Sequence, residues 1–314
     1  MTKHRILLSE GYSVADMVGS MRRDTDFLDR LDHDAPLRSP GISVFRGRGV
    51  PAIRPADPQS HAGPMEVFSP PPQPAIRPEK VWESLSPVTL DSALLAGNGL
   101  FPDAAQHTVT AQFDILRTRL VQAMQERGWR RIAVTSPTHG CGKSLIAANL
   151  ALALARMPSA RTVLLDLELR HPDLARLFGT GTGPMRDMLS GEQPLESHLR
   201  RVGSNLALAF NGEPVTGAAE TLLAPQTAET LRAIADHLDP TVMVLDLPPA
   251  LGSDDVISIL PHVDAVLLVA DATRTTAEDI RACERLFDGR TTLMGVVMNR
   301  AQESSLRRYR YRKS

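Results

Sequence analysis

The residues best suited to chemistry lie at the end of segment 131–144, RIAVTSPTHGCGKS. Its first residues form a short apolar run with β-branched ends, which favours a buried strand. When such a strand leads through a glycine-containing loop into a helix, backbone N–H groups bind phosphate oxygens, the lysine reaches the β- and γ-phosphates, and the serine hydroxyl holds Mg²⁺. We therefore predict a phosphate-binding loop (P-loop), whose nucleotide-binding residues are Gly140, Cys141, Gly142, Lys143, Ser144 and Leu145.

One position departs from the usual P-loop sequence. Pro137 stands five residues before Gly142, where glycine is usual. Because proline has no N–H and a fixed φ, the entry to the loop must differ. A Gly-x-Gly-Lys-Ser sequence also occurs by chance in ordinary turns, but here a strand precedes the loop and an apolar helix, LIAANLALALARM, follows it. These flanking elements favour the functional interpretation.

Acidic residues follow two further apolar runs. The run RTVLLD ends at Asp166, and alternation along an extended chain places Glu168 and Arg170 on the same face as that aspartate. The run TVMVLD ends at Asp246. A lone aspartate after a strand more often caps a helix or forms a turn. Beside a P-loop, however, such a carboxylate orders Mg²⁺ directly or through water, and we predict this role for Asp246.

Asn299 follows the last apolar run of the chain. Its amide is suited to bind the adenine edge of a nucleotide, and we count it with Arg170 among the nucleotide-binding residues. A capping or turn-forming role for Asn299 is the alternative.

Apolar runs alternate with helical patterns from about Val109 onward. Strands are predicted near 132–134, 161–166, 205–210, 241–246, 264–270 and 292–298, and helices near 109–128, 145–157, 226–238, 253–260 and 276–287. This alternation predicts an α/β fold, a P-loop NTPase with a mostly parallel sheet covered by helices on both faces. Ligands of such sheets bind at the C-terminal ends of the strands.

Proline content divides the chain. Thirteen of the 24 prolines precede Gln106, and stretches such as SPPPQPAIRP favour extended, solvated backbone. We predict a short N-terminal segment (1–33), a disordered proline-rich linker (34–105), the P-loop domain (106–300) and a basic tail (301–314). Apolar residues from Val14 to Leu31 have broadly helical spacing, which fits either a weakly stable amphipathic segment or a helix that docks on a partner.

Charge and composition exclude several classes of protein. The formal net charge of −1 gives no basic field for nucleic acid. Two cysteines provide neither a disulfide framework nor a metal-binding spacing, which fits a reducing cytoplasm. No stretch has the length and apolarity of a membrane span, and the first residues lack the apolar region of a secretory signal. We therefore expect a cytoplasmic protein.

Three motifs, SPTHGCGKS, VLLDLELRHP and VMVLDLPP, resemble in order and spacing the bacterial tyrosine kinases of capsule and exopolysaccharide synthesis. The resemblance covers about residues 108–300. The second motif, which separates that family from other P-loop ATPases, is a hydrophobic strand followed by Asp-x-Asp-x-Arg. Asp166, Glu168 and Arg170 match it, with Glu168 in place of the second aspartate.

The resemblance implies a Mg-ATP enzyme that transfers phosphate to tyrosine. It implies a base at Asp166 and a metal-ordering carboxylate at Asp246. The implied catalytic residues are Lys143, Asp166, Glu168 and Asp246, and the implied Mg²⁺ ligands are Ser144, Asp166 and Asp246. It further implies a homo-oligomer, recruited to the inner face of the plasma membrane by a membrane-embedded polysaccharide co-polymerase.

Two other family features are altered. The family's oligomerisation helix carries Glu-x-x-Arg-x-x-Arg, which aligns with Ala111, Asp114 and Arg117, so the last arginine alone is kept. The family's C-terminal tyrosine cluster is reduced to Tyr309 and Tyr311 in the sequence RRYRYRKS. We predict that these are phospho-acceptors, reached between subunits. A solvated basic terminus that contacts anionic lipid is a second interpretation, compatible with the first.

Two non-kinase functions stay open at this point. One is a nucleotide-switch ATPase like the cell-division and chromosome-partition proteins, which carry a signature lysine five residues before the lysine of Gly-Lys-Ser. Thr138 occupies that position and disfavours this alternative. The other is a non-catalytic, nucleotide-sensing regulator of polysaccharide export.

Overall fold

The computed structural model of the 314-residue chain describes residues 7–8, 77–103 and 108–301. The predicted helical segment between Val14 and Leu31 lies outside the described residues, and so do Tyr309 and Tyr311. All of residues 21–75 lie outside them as well. The described residues all belong to the unit formed by residues 1–20 and 76–314.

The described part of the chain is built around a nine-stranded sheet. In chain order its strands are β1 (Leu7–Leu8), β2 (Ser86–Pro87), β3 (Arg131–Thr135), β4 (Thr162–Asp166), β5 (Arg200–Val202), β6 (Leu206–Ala209), β7 (Val242–Asp246), β8 (Ala265–Asp271) and β9 (Thr292–Asn299). Their order across the sheet is β1-β9-β8-β3-β7-β4-β6-β5-β2. The strands from β9 to β6 pair in parallel, whereas β1 and β5 pair antiparallel with β9 and β6. The prediction of a mostly parallel sheet is confirmed.

Helices cover both faces of the sheet. They are α1 (Pro78–Ser84), α2 (Ser92–Gly97), α3 (Thr108–Arg127), α4 (Lys143–Ala155), α5 (Leu174–Phe178), α6 (Met185–Leu189), α7 (Leu195–His198), α8 (Ala218–Leu223), α9 (Pro225–Leu238), α10 (Asp255–Ile259) and α11 (Ala277–Phe287), with a 3₁₀ turn at Leu260–His262. One hydrophobic core joins α3 and α4 to the sheet, and a second joins α9, α10 and α11 to its other face.

The alternation of side chains along each strand explains why the central strands are apolar throughout. In β3, Ile132 and Val134 pack in the core under α3 and α4, while Ala133 packs in the opposite core. In β7, Val244 and Leu245 divide in the same way. Both faces of these strands are therefore buried, as expected of a parallel sheet between two helical layers.

The structure corrects the end of the predicted linker. Residues 77–103, which the proline content assigned to the linker 34–105, fold against the domain. The large side chains of this segment are buried: Trp82, Leu85, Leu95 and Leu100. The Trp82 indole N–H also donates to the carbonyl oxygen of Ser204 at 2.7 Å. Apart from the short strand β1, the described domain thus begins near residue 77 and not at 106.

The prolines of this segment occupy positions that a folded domain tolerates. Pro78 lies in the first turn of α1, where its missing N–H has no intrahelical acceptor to lose. Pro87 ends the two-residue strand β2 at the edge of the sheet, where proline is tolerated. Proline content therefore does not separate this segment from the linker before it.

None of the helices in the described ranges is both long enough and apolar enough to cross a membrane.

Candidate active site

The P-loop connects β3 to the N-terminus of α4. Gly140 and Gly142 have φ values of +76° and +90°, which L side chains rarely adopt. A Cβ atom on Gly142 would stand 2.3 Å from Nδ2 of Asn299, so a larger residue there would displace that amide as well as strain the backbone. The backbone of Ile146 donates to the Gly142 carbonyl at 3.0 Å, while the N–H groups of the first helical residues have no intrahelical acceptor. Lys143, Ser144 and Leu145 therefore present N–H groups suited to bind phosphate.

The entry to the loop departs from the usual pattern at Pro137. At this entry two backbone carbonyls accept hydrogen bonds. The carbonyl of Ser136 accepts from the Ala250 N–H at 2.7 Å, and that of Pro137 accepts from the Leu251 N–H at 3.1 Å. The missing N–H of Pro137 leaves these bonds unaffected, because the segment after β7 supplies the donors. The loop entry is thereby joined to the chain that follows Asp246.

A buried ionic cluster lies beside the loop. Lys143 Nζ stands 3.3 Å from Glu168 Oε2 and 3.3 Å from Asp246 Oδ1. It also lies 3.2 Å from the Ser144 hydroxyl. Asp166 and Asp246 are direct neighbours across the β4–β7 pair, and both are fully buried. The structure therefore brings together the four residues that sequence assigned to catalysis.

Burial and mutual charge shift the pKa values in this cluster. Burial opposes the charge of Lys143, but Asp246, Glu168 and Asp166 outweigh it, and the pKa of Lys143 is raised. Burial, and then the charge of Asp246, raises the pKa of Asp166 well above its usual value. Burial also raises the pKa of Asp246, although Lys143 acts against this. A carboxyl group with a raised pKa is suited to exchange protons near neutral pH.

The donor set beside the loop fits Mg²⁺. Among the described residues, Asp166 Oδ2 and Asp246 Oδ2 are buried oxygens without a hydrogen-bond partner. Oxygen is the ligand that Mg²⁺ prefers, and the ion commonly keeps waters and phosphate oxygens in its shell. No cluster of three His, Cys, Asp or Glu side chains in the described ranges forms a metal site by itself. Ser144, Asp166 and Asp246 are thus suited to share the ion with phosphate and water.

Arg170 turns away from the buried cluster. Its guanidinium forms a bidentate ion pair with Asp255 at the start of α10, with distances of 2.6 and 2.9 Å. Arg170 and Glu168 line an open cavity of about 440 Å³ together with His139 and His171. Asp166, Glu168 and Arg170 therefore differ in their surroundings, although strand alternation predicts that they share one face. Asp166 and Glu168 belong to the buried cluster, whereas Arg170 lies on the wall of the cavity, which Glu168 also lines.

Asn299 occupies a structural position on the P-loop. Its Nδ2 donates to the Cys141 carbonyl at 2.8 Å, and its Oδ1 accepts from the Arg300 N–H at 2.9 Å. The side chain is fully buried. Of the two interpretations, this geometry supports the structural role; binding of adenine by this amide stays a prediction.

Two of the three positions aligned with the oligomerisation motif make intrachain contacts. Asp114 pairs with Arg156 of the segment after α4 and with Arg117 at 3.1 Å. Arg117 also donates to the Ala153 carbonyl at 3.1 Å. These bonds fasten α3 to the C-terminal end of α4, the helix that follows the P-loop.

Sequence reasoning missed several residues around the loop. Asp271, Arg274 and Arg300 lie at the ends of β8 and β9 and contact the P-loop or one another. Asp255, the partner of Arg170, was missed as well. The signal was available for Asp271, because it ends an apolar run as Asp166 and Asp246 do.

Comparisons with known proteins agree with this geometry. The family profile described as "ParA: NUBPL iron-transfer P-loop NTPase" matches residues 129–306. A putative tyrosine-protein kinase EpsB from Ralstonia solanacearum is 31% identical over 207 residues, which are 62% of this chain and 27% of that protein. The succinoglycan biosynthesis transport protein ExoP from Rhizobium meliloti is 27% identical over 219 residues, 66% of this chain and 27% of that protein.

A solved structure shows the same fold. The VpsO kinase domain superposes with a TM-score of 0.54 at 28% identity, over 62% of this chain and 96% of that domain. The chain thus spans about a quarter of EpsB and ExoP, but it covers nearly the whole VpsO kinase domain. With the P-loop, the paired aspartates and the family match to more than half of the sequence, the chain belongs to the ParA family of P-loop NTPases and is similar to bacterial tyrosine kinases.

Proposed function

We propose that the protein is an ATP-dependent tyrosine autokinase. The observation that carries this proposal is the buried cluster in which Lys143 contacts both Glu168 and Asp246, with Asp166 beside it. Glu168 and Asp166 belong to the second motif, which separates the resembling kinases from other P-loop ATPases. Their position against the P-loop lysine supports a kinase over a nucleotide switch.

Each residue of the cluster has a role in phosphoryl transfer. Lys143 binds the β- and γ-phosphates, while Glu168 and Asp246 hold its ammonium group beside the loop. Asp166 is the base that accepts the proton of the tyrosine hydroxyl, and its raised pKa suits proton transfer near neutral pH. Mg²⁺ held by Ser144, Asp166 and Asp246 would neutralise charge on the phosphates.

The wider function proposed is control of exopolysaccharide or capsule polymerisation and export. The similarity to a succinoglycan biosynthesis transport protein supports it. We propose a cytoplasmic homo-oligomer, recruited to the inner membrane face by a polysaccharide co-polymerase. Arginines among residues 307–312 add a weak contact with anionic lipid.

The test is phosphotyrosine formation by the purified full chain with Mg-ATP. Phosphotyrosine that depends on Mg-ATP supports the kinase. ATP hydrolysis without phosphotyrosine contradicts it and favours the nucleotide switch. ATP binding without turnover contradicts it and favours a nucleotide-sensing regulator of export.

We expect Tyr309 and Tyr311 to be the acceptors and to be phosphorylated in trans. About fifteen residues follow Asn299, enough to extend roughly 50 Å, so length permits transfer within or between chains. Mixing a Lys143→Met chain with a Tyr309→Phe/Tyr311→Phe chain separates these routes. The label should appear on the Lys143→Met chain, which has intact tyrosines but no catalytic lysine.

Two outcomes would contradict this expectation. Absence of label from both mixed chains, while the wild type is labelled, excludes transfer in trans. If the Tyr309→Phe/Tyr311→Phe chain becomes labelled when it is incubated alone, the acceptor is Tyr12, the remaining tyrosine of the sequence.

A further inference from the structure

The P-loop is held from outside by side chains that the proposed reaction does not use. Arg274 Nη2 and Arg300 Nη1 both donate to the Gly140 carbonyl, at 3.1 and 2.9 Å. Asn299 Nδ2 donates to the next carbonyl, that of Cys141, at 2.8 Å. Two successive carbonyls of the loop are therefore bonded from the C-terminal ends of β8 and β9.

One buried carboxylate fixes both arginines. Asp271 is fully buried, and its Oδ2 accepts from Arg300 Nη1 at 2.5 Å and from Arg274 Nε at 3.1 Å. Its Oδ1 accepts from the hydroxyl and the N–H of Thr273 at 2.6 and 2.9 Å. Burial acts to raise the pKa of Asp271, but the bonds from Thr273, Arg300 and Arg274 hold it at about 2. The carboxylate is thus charged throughout the neutral range.

The backbone of Arg300 shows that this arrangement is imposed on the chain. Arg300 has φ of +58°, in the left-handed region that residues other than glycine rarely adopt. Such strain persists where the surroundings determine the conformation, and it concentrates at functional sites. Here the guanidinium of Arg300 joins Asp271 to Gly140.

Peptide geometry connects these outer bonds to the phosphate side of the loop. In a planar trans peptide, the C=O of one residue and the N–H of the next point in opposite directions. Holding the carbonyls of Gly140 and Cys141 outward therefore directs the N–H groups of Cys141 and Gly142 inward. The inward side is where P-loop N–H groups bind phosphate oxygens.

We propose that Asp271, Arg274 and Arg300 form a P-loop clamp that orients these N–H groups before nucleotide binds. The clamp residues are positioning residues, because they act on the nucleotide only through the loop. The orientation of the remaining N–H groups matters more in this chain, because Pro137 offers no N–H at the loop entry. This inference rests on the nucleotide binding of the proposed function, though not on its tyrosine acceptor.

The test measures the Kd for Mg-ATP and Mg-ADP of the full chain by calorimetry, for Arg274→Ala, Arg300→Ala and the double variant. Either arginine alone keeps the Gly140 carbonyl bonded, so each single change should raise Kd about threefold and the double change at least tenfold. ATP and ADP should weaken alike, because the loop N–H groups bind the α- and β-phosphates. Arg285→Ala is the matched control: Arg285 pairs with Glu278 on α11 at 2.7 Å, in an exposed ion pair, and its loss should leave Kd unchanged.

Measuring well below the melting temperature separates positioning from mere stability. A purely structural role would lower the melting temperature but leave the Kd of the folded protein unchanged. Unchanged Kd in a folded double variant therefore overturns the clamp. Wild-type protein that binds neither nucleotide overturns the proposed nucleotide site instead, and the clamp with it.

A second measurement tests the clamp even if the double variant does not fold. Arg274 is 60% exposed, so Arg274→Ala should fold. Hydrogen exchange of the Cys141 and Gly142 amides in the Mg-ADP complex should then be faster in that variant than in the wild type. Exchange as slow as in the wild type, with Kd unchanged, overturns the clamp.

Discussion

Replacing Lys143 with Met is expected to lower phosphotyrosine formation at least about 100-fold, as loss of one preorganised electrostatic group does at active sites. The ammonium group lies 3.3 Å from both Glu168 and Asp246, and it balances carboxylates that are almost fully buried. Methionine fills a similar volume but offers no charge to phosphate. The measurement is the initial rate of phosphotyrosine formation with saturating Mg-ATP.

The variant should still fold, although with lower stability. Loss of the cation leaves Asp166, Glu168 and Asp246 close together without Lys143. Buried acids in this position take up a proton, and the pKa of Asp166 is already raised. Circular dichroism and thermal melting would show whether the native fold is retained.

Lys80→Met is the matched control, because it makes the same substitution at an exposed position of α1. It should keep wild-type activity. If the folded Lys143→Met chain phosphorylates as fast as the wild type, the P-loop lysine has no part in the reaction and the proposed function is wrong.

The parts of the site that sequence predicted depend on local order or on strand ends. Lys143 and Ser144 follow from one short motif between a strand and a helix. Asp166 and Asp246 are far apart in sequence, yet both end apolar strands, and parallel strands end at the same edge of a sheet. Their pairing in register across β4 and β7 confirms that reasoning.

The parts that sequence missed depend on side-chain contacts between distant elements. Arg274 and Arg300 reach Gly140 across 134 and 160 residues. The bond of Arg170 to Asp255 likewise spans 85 residues. Strand alternation gives the face of the chain on which Arg170 lies, but not which partner its long side chain selects. Such contacts depend on rotamers and on the packing of short elements that carry no periodic pattern.

The segment 77–103 also consists of short elements without a periodic pattern, and we expect its deletion to have a large effect on stability. Deleting residues 1–105 should prevent the domain from folding, whereas deleting residues 1–76 should leave it folded and able to bind ATP. Sequence alone predicts that both deletions are tolerated, because it assigns all of 34–105 to the linker.

The stability contributed by the buried side chains of segment 77–103 explains why the two deletions should differ. The shorter deletion keeps Trp82, Leu85, Leu95 and Leu100, which fill the two cores. Full burial of one such side chain contributes about 1.5–3 kcal/mol, so four contribute on the order of 8 kcal/mol. Domains have total stabilities of about 5–15 kcal/mol. The longer deletion also removes the indole bond of Trp82 to Ser204.

Both truncated chains should be compared with the full chain by thermal melting and Mg-ATP calorimetry. The 1–76 deletion loses the two-residue strand β1, whose pairing with β9 is a small part of the sheet. We therefore expect its melting temperature to lie within a few degrees of the full chain, with an unchanged Kd. Trp82→Ala in the full chain tests the same contact by one substitution and should cost about 3–5 kcal/mol of stability. A cooperative melting transition and ATP binding by the 1–105 deletion would show that residues 77–103 lie on the domain without stabilising it.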